Sequence, residues 1–305
     1  MQINHNHPYI YTMRYLGTLL AVFLCVAGML SCGKDKISGN ADNIPGLGGD
    51  TWVKGPVDDW ILSNLTVPWN ISVKYKWDQS EMEFNKIVVP PDEEKVIPAL
   101  NAVKQVWIDN YVAETNEVFM KKYCPKLFVL AGSASWNMDG SIIQGRAEGG
   151  RKILLYQLNN FRVKNMAGYV PEDSFAVKEI FNTIEHEFAH ILHQNVMYPQ
   201  EFKQISVGTY TSNWNNVSDK AANELGFVSA YAMAFPDEDF VEMVSWMLTE
   251  GRGWFNSLVS NLTNEEAQIK LRQKEAIVVG YFKNTWNIDF YSLQTRTRNS
   301  ITALF

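Results

Sequence analysis

"TIEHEFAHILHQ", Thr183 to Gln194, is the stretch from which the rest of this chain is read. It carries His-Glu-x-x-His as His186, Glu187 and His190, followed by a third histidine, His193. At 100° per residue, Val177, Ile180, Phe181, Ile184, Phe188, Ile191 and Leu192 fall within one arc, the pattern of a helix turning an apolar face to a core. His186, His190 and His193 fall on the opposite side. Side chains four apart stand one turn above the other, so His186 and His190 can aim a ring nitrogen at one point about 2.0–2.1 Å away, a Zn–N bond length. Glu187, at the edge of that face, is placed to reach an attacking water rather than the metal. A lone helical histidine is usually structural. Here the five histidines are His5, His7, His186, His190 and His193, so all but the first two lie within eight consecutive residues.

A zinc site needs three protein ligands, and two are now named. A metzincin would place a further His after a Gly; that Gly is absent and no His follows His193. His193 itself stands about 10 Å along the axis from His186, too far to converge on one tetrahedral ion. It is expected to line the cleft, touch substrate or orient a neighbour, with a plain surface histidine as the alternative. A carboxylate from a later helix completes a two-His-plus-Glu set, and Glu201, Glu224, Glu238, Glu242 and Glu250 are in range. Ligating histidines hand their other N–H to an acceptor, which favours a Glu with a second acid one turn on. "EDFVE" supplies it: Glu238 as the ligand of one zinc ion, Glu242 as acceptor from His186 or His190. Glu224 has Val228 at that position. The bland reading of "DEDFVE" is an acidic helix start, but Val241, Val244 and Leu248 give that helix an apolar face, leaving its acids free to line a cleft.

Outward from these motifs, 305 residues with 46% hydrophobic content suffice for a packed core, and a net charge of −6 without any basic stripe excludes a nucleic-acid partner. The start is different in kind. From Met13 the chain reads "MRYLGTLLAVFLCVAGMLSCGKD", one Arg and then an apolar run too short for a comfortable membrane span, the form of a secretory signal. Met29-Leu30-Ser31-Cys32 resembles a bacterial lipobox, which implies cleavage before Cys32 and acylation of its sulfur. Residues 1–31 are thus a lipoprotein signal, and Met13 is a second candidate start. Residues 32–50, rich in Gly, Asn and Asp, are a flexible tether. Cleavage removes Arg14 and no acid, leaving 26 basic against 33 acidic residues, net −7, and a single free thiol, Cys124, read as a small buried apolar residue.

Residues 51–305 read as one α+β domain with lobes of about 51–195 and 196–305. "WNISVKYKW", "KLFVLAGS" and "KILLYQLNNF" have strand character, the last two separated by the Gly-rich "NMDGSIIQGRAEGGR", and "PDEEKVIPALNAVKQVWIDNYVAET" has helical spacing despite Pro98. After Ser174 the segments "SFAVKEIFNTIEHEFAHILHQ", "KAANELGFVSAYAMAF", "EDFVEMVSWMLTE" and "EEAQIKLRQKEAIVVGYFKNTW" read as successive helices. The histidine helix falls between a sheet-bearing lobe and a helical one.

Two resemblances add to this reading. His-Glu-x-x-His followed nearly fifty residues later by Glu-x-x-x-Glu resembles the metal site of anthrax lethal factor and related zinc peptidases. There a Tyr seven residues before the ligand Glu assists catalysis, which points to Tyr231, with a core aromatic as its alternative role. The lipobox leader together with His-Glu-x-x-His-x-x-His-Gln, here ending at Gln194, is similar to the zinc metallohydrolase lipoproteins that accompany TonB-dependent import systems in Bacteroidetes. This likeness implies a zincin-like fold, an outer-membrane lipoprotein on the cell surface or the periplasmic face, and a transporter and a substrate-binding lipoprotein as partners. The expected function is metal-assisted peptide hydrolysis, with Glu187 as base, Tyr231 as oxyanion donor and "KILLYQLNNF" as an edge strand for an extended peptide or protein substrate. The alternative is a lipoprotein that binds peptide or glycan without turnover, with Trp136 and Trp214 available for stacking.

Overall fold

The computed structural model describes residues 52–82, 87–136, 142–143, 145–148 and 152–305. The signal segment 1–31, Cys32 and the tether 32–50 lie outside them. Helix α1 (Pro56–Ile61) runs through a π-helical stretch, Leu62–Thr66, into α2 (Val67–Trp69), where Asn70 at φ 56° turns the chain into β1 (Ser72–Lys74). Helix α3 (Glu93–Val103) contains Pro98 and continues through a second π-helical stretch, Lys104–Ile108, into α4 (Asp109–Glu114); α5 (Glu117–Tyr123) follows, capped by Asn116. Then come β2 (Leu127–Leu130), β3 (Ser135–Trp136), β4 (Ile142–Ile143), β5 (Gly145–Glu148) and β6 (Lys152–Leu155).

The main sheet has the order β1-β2-β6-β5, with the first three strands parallel and β5 antiparallel at the edge. Successive strand residues face opposite sides. Phe128, Leu130, Ile153 and Leu155 therefore enter the main core, while Val129 and Leu154 join Met82, Val88, Ala131 and Tyr156 beneath the other face. A sheet covered on both faces demands uninterrupted apolar runs, which is why "LFVL" and "KILL" do not alternate with polar residues. This corrects one expectation: β6, from "KILLYQLNNF", is an interior strand, and the edges are β1 and β5, the latter inside the Gly-rich stretch read as a separator.

The remaining elements are helical: α6 (Asp173–Asn195), α7 (Glu201–Ile205), α8 (Asp219–Asn223), α9 (Pro236–Ser260), α10 (Glu265–Trp286) and α11 (Phe290–Thr302). The apolar arc of α6 is buried along its whole length, each such side chain contributing roughly 1.5–3 kcal/mol. Trp107 and Tyr111 meet Phe188 edge-on, at 5.1 and 4.9 Å between ring centroids, fastening α6 to the N-terminal helices. Cys124 is buried and its thiol is pushed up in pKa by that burial.

A second expectation fails at "KAANELGFVSAYAMAF", which is not one helix. It stops after the five residues of α8, turns at Gly226 (φ 90°), and resumes as a single 3₁₀ turn, Tyr231–Met233. The turns and bends between them bring Ser229 to Glu242 of α9 and Tyr231 to His186 of α6. Helix α9 itself breaks at Gly251 (φ 84°, ψ 174°), a conformation open only to glycine. Side chains from α11 take the carbonyls freed there: Gln294 Nε2 donates to Met247 at 2.6 Å and Arg298 Nη1 to Thr249 at 3.0 Å.

Candidate metal centre

Helix α6 presents His186 and His190 one turn apart, and α9 packs against that helix with its first turn facing them. Glu238 Oε2 lies 3.2 Å from His186 Nε2 and 3.3 Å from His190 Nε2. A tetrahedral ion with bonds of about 2.0–2.1 Å holds its ligand atoms roughly 3.3–3.4 Å apart, and Glu238 Oε2 stands near that spacing from each imidazole nitrogen. Glu187 also offers an oxygen, in a cluster with the two imidazoles whose ligand atoms lie within 4.8 Å of one another. Glu238 Oε2 matches the tetrahedral edge on both sides. Two carboxylates are thus within reach of the imidazole pair, Glu238 from α9 and Glu187 from α6 itself, and with His186 and His190 they are donors of the kind zinc takes.

The neighbouring groups hold these side chains in orientation. His186 Nδ1–H donates to Glu242 Oε1 at 2.8 Å. Glu242 Oε2 in turn accepts from Ser229 Oγ at 2.5 Å and from Trp246 Nε1 at 2.9 Å. Burial works against a charged His186, but the carboxylates of Glu238 and Glu242 outweigh it and raise the imidazole to about 10. Burial likewise opposes ionisation of Glu238, and bonds from His186 and His190 overcome it, holding the carboxyl far below the usual range. A metal ion and a proton thus compete for His186 Nε2. Further along the same face of α6, Glu179 is lifted to about 7 by burial and by the charges of Glu242, Glu250 and Asp219, so the surroundings of the site are strongly acidic.

Of the roles open to His193, the structure agrees with a contact to a neighbour rather than with a place on a cleft or the surface. It is 3% exposed, packed against Tyr198 and Phe240, and lines no cleft. Its Nε2 lies 2.9 Å from His190 Nδ1, so it stands behind one ligand as Glu242 stands behind the other. Burial and the nearby His190 lower it to about 4, which keeps the ring neutral and able to accept the His190 N–H. The C-terminal end of the histidine arc faces inward because Tyr198, in the loop after α6, and Phe240 of α9 cover it.

The rival acids are engaged elsewhere. Glu201 is exposed at the start of α7. Glu224 accepts the backbone N–H groups of Thr263 and Asn264 at 3.0 and 2.9 Å, at the entry to α10. Glu250 pairs with Lys178 at 2.6 Å. Tyr231 is 37% exposed, with its ring 5.8 Å from that of His186 and nearly parallel to it. Burial first, then the charge of Glu238 and a hydrogen bond to it, raise its hydroxyl well above the ordinary phenol value. Trp214 closes edge-on over Tyr231 at 4.8 Å, and Trp136 is 55% exposed on β3. Sequence reasoning missed Ser229 and Trp246. Trp246, one turn beyond Glu242, was open to the same spacing argument; Ser229 arrives from the broken segment, for which no periodicity exists.

A family model described as "Putative zinc-binding metallo-peptidase" matches residues 50–291. A crystal structure from Bacteroides caccae ATCC 43185, of a protein described in the same words, is similar at 32% identity and a TM-score of 0.68, covering 81% of this chain and 92% of that one. Comparison with curated proteins finds no match. With the family model spanning both the histidine helix and the helix that carries Glu238, this chain belongs to that family of zinc-binding metallo-peptidases.

Proposed function

We propose that this protein hydrolyses peptide bonds with one zinc ion held by His186, His190 and Glu238. The observation that carries this reading is the single carboxylate oxygen of Glu238 poised at tetrahedral spacing from both imidazole nitrogens. The ion, when bound, supplies Lewis acidity, lowering the pKa of water towards about 7 and polarising the scissile carbonyl. Glu187, buried beside the imidazoles, takes a proton from the attacking water and hands it to the leaving nitrogen. The raised phenol of Tyr231 stays protonated, a donor for the carbonyl oxygen as negative charge grows there. Strand β5 lies against α6 at the sheet edge, where an extended substrate can pair with it through main-chain hydrogen bonds. Purified residues 51–305 loaded with zinc should cleave unstructured peptides and lose that activity to a chelator. Glycan or peptide binding with no turnover would sink the reading in favour of a binding lipoprotein.

His193→Ala should still bind one zinc at saturation, but with affinity reduced about 10–100-fold, as when the group behind a ligand is removed. Chelator competition on wild type and variant checks this; equal affinities would reduce His193 to packing.

We further infer that Cys32 is acylated and holds the enzyme on the outer membrane beside a TonB-dependent transporter and its substrate-binding lipoprotein. The support is the leader with Met29-Leu30-Ser31-Cys32 at its end. Cys32→Ala should abolish metabolic labelling by a fatty acid and release the protein from membranes, and label retained by the variant would disprove the anchor.

A further inference from the structure

The first turn of α9 contains three consecutive acids with three different sets of partners. Asp237 accepts from Tyr198 Oη at 2.5 Å and pairs with Lys203 at 3.0 Å. Glu238 faces the two histidines. Asp239 Oδ2 lies 2.6 Å from Lys274 Nζ of α10 and accepts from Tyr210 Oη at 2.9 Å, with Asp239 and Lys274 both 0% exposed. Neighbouring helix residues point 100° apart, so the helix has one rotational setting at which all three are satisfied. Turning α9 enough to take Glu238 off the histidines would also pull Asp239 from its buried cation.

Lys274 reaches further than that one carboxylate. Its Nζ donates to the Gly226 carbonyl at 2.7 Å and lies 4.1 Å from the centre of the Phe227 ring. Gly226 sits so close to α10 that a Cβ there would come within 2.8 Å of Lys270 Cβ. The segment tied down in this way runs on within five residues to Ser229, which donates to Glu242, and to Tyr231 beside His186. A fully buried ion pair is a poor source of stability, because desolvation offsets its attraction and apolar replacements of both partners are often neutral or stabilising. What such a pair can supply is a unique arrangement.

We propose that Lys274, which touches neither metal nor substrate, is a positioning residue: by binding Asp239 and Gly226 together it sets Glu238 and Tyr231 in register with the two histidines. The inference rests on the reading of Glu238 as a zinc ligand. Lys274→Met alone strands Asp239 in the core and is liable to unfold the chain, so the informative variant is Lys274→Met with Asp239→Leu, accompanied by Tyr210→Phe, which removes a single hydroxyl. The measurements are the metal-free melting midpoint, zinc affinity by chelator competition, and kcat and KM for a peptide at saturating zinc. The double variant should melt near wild type, bind zinc about 10–100-fold more weakly, and lose kcat at little change in KM; Tyr210→Phe should move in the same direction by a few fold. A purely structural pair would shift the midpoint and leave the zinc affinity of the folded protein unchanged. Wild-type zinc affinity and kcat in the folded double variant would overturn the proposal, as would wild-type values in Tyr210→Phe should the double variant not fold. Glu238→Ala is run beside them. Undiminished zinc binding in that protein refutes the ligand assignment itself, whereas loss there with retention in the double variant refutes only the role of Lys274.

Discussion

Glu238→Ala should strip zinc from the folded protein. The substitution removes the oxygen that stands 3.2 and 3.3 Å from the two imidazole nitrogens, leaving two imidazoles on one helix with Glu187 as the remaining carboxylate beside them. The fall in affinity should exceed the roughly 10–100-fold expected for Glu242→Ala, which disturbs only the bond behind His186. Glu224→Ala is the control. Its carboxylate is occupied with the backbone of Thr263 and Asn264, and its loss should leave zinc binding untouched. Zinc per folded protein after dialysis against a mild chelator, measured for all three variants, decides the matter. Retention in Glu238→Ala with loss in Glu224→Ala would require a different third ligand and a different geometry.

Glu187→Gln is expected to divide binding from chemistry. The amide keeps the shape of the side chain and removes its basicity, so zinc should bind at wild-type stoichiometry while kcat falls by about 10²–10⁴, or roughly 3–5 kcal/mol of barrier. KM should move little, because the group is asked to carry a proton and not to hold substrate. Loss of metal together with activity would place Glu187 among the ligands, where its presence in the same cluster as His186 and His190 leaves room for it. The two experiments are complementary: one variant should be empty and intact, the other full and inactive.

Two parts of this protein were legible in its residues because they depend on short-range regularities. A helix repeats every 3.6 residues, so the apolar arc of α6 and the one-turn spacing of His186 and His190 follow from position alone. The same rule applied to "EDFVE" singles out Glu238 and Glu242 from their one-turn spacing, and the structure places both beside His186. The uninterrupted apolar runs of β2 and β6 likewise announced strands.

Other features were decided by packing between distant segments. His193 lies on the histidine side of α6, where periodicity suggests solvent, yet Tyr198 in the loop after that helix and Phe240 of α9 cover it, and it stands behind His190. Strand β5 sits in a Gly-rich stretch with no strand signal, and becomes the sheet edge only because β6 is there to pair with it. "KAANELGFVSAYAMAF" has helical composition throughout, but Gly226 must come close to α10 while Lys274 takes its carbonyl, and the helix yields to those contacts. Its yielding delivers Ser229 to Glu242 and Tyr231 to His186. The sequence by itself determined which side chains share a turn; the tertiary structure decided which of those turns face one another, because burial and hydrogen-bond satisfaction are settled between elements rather than within them.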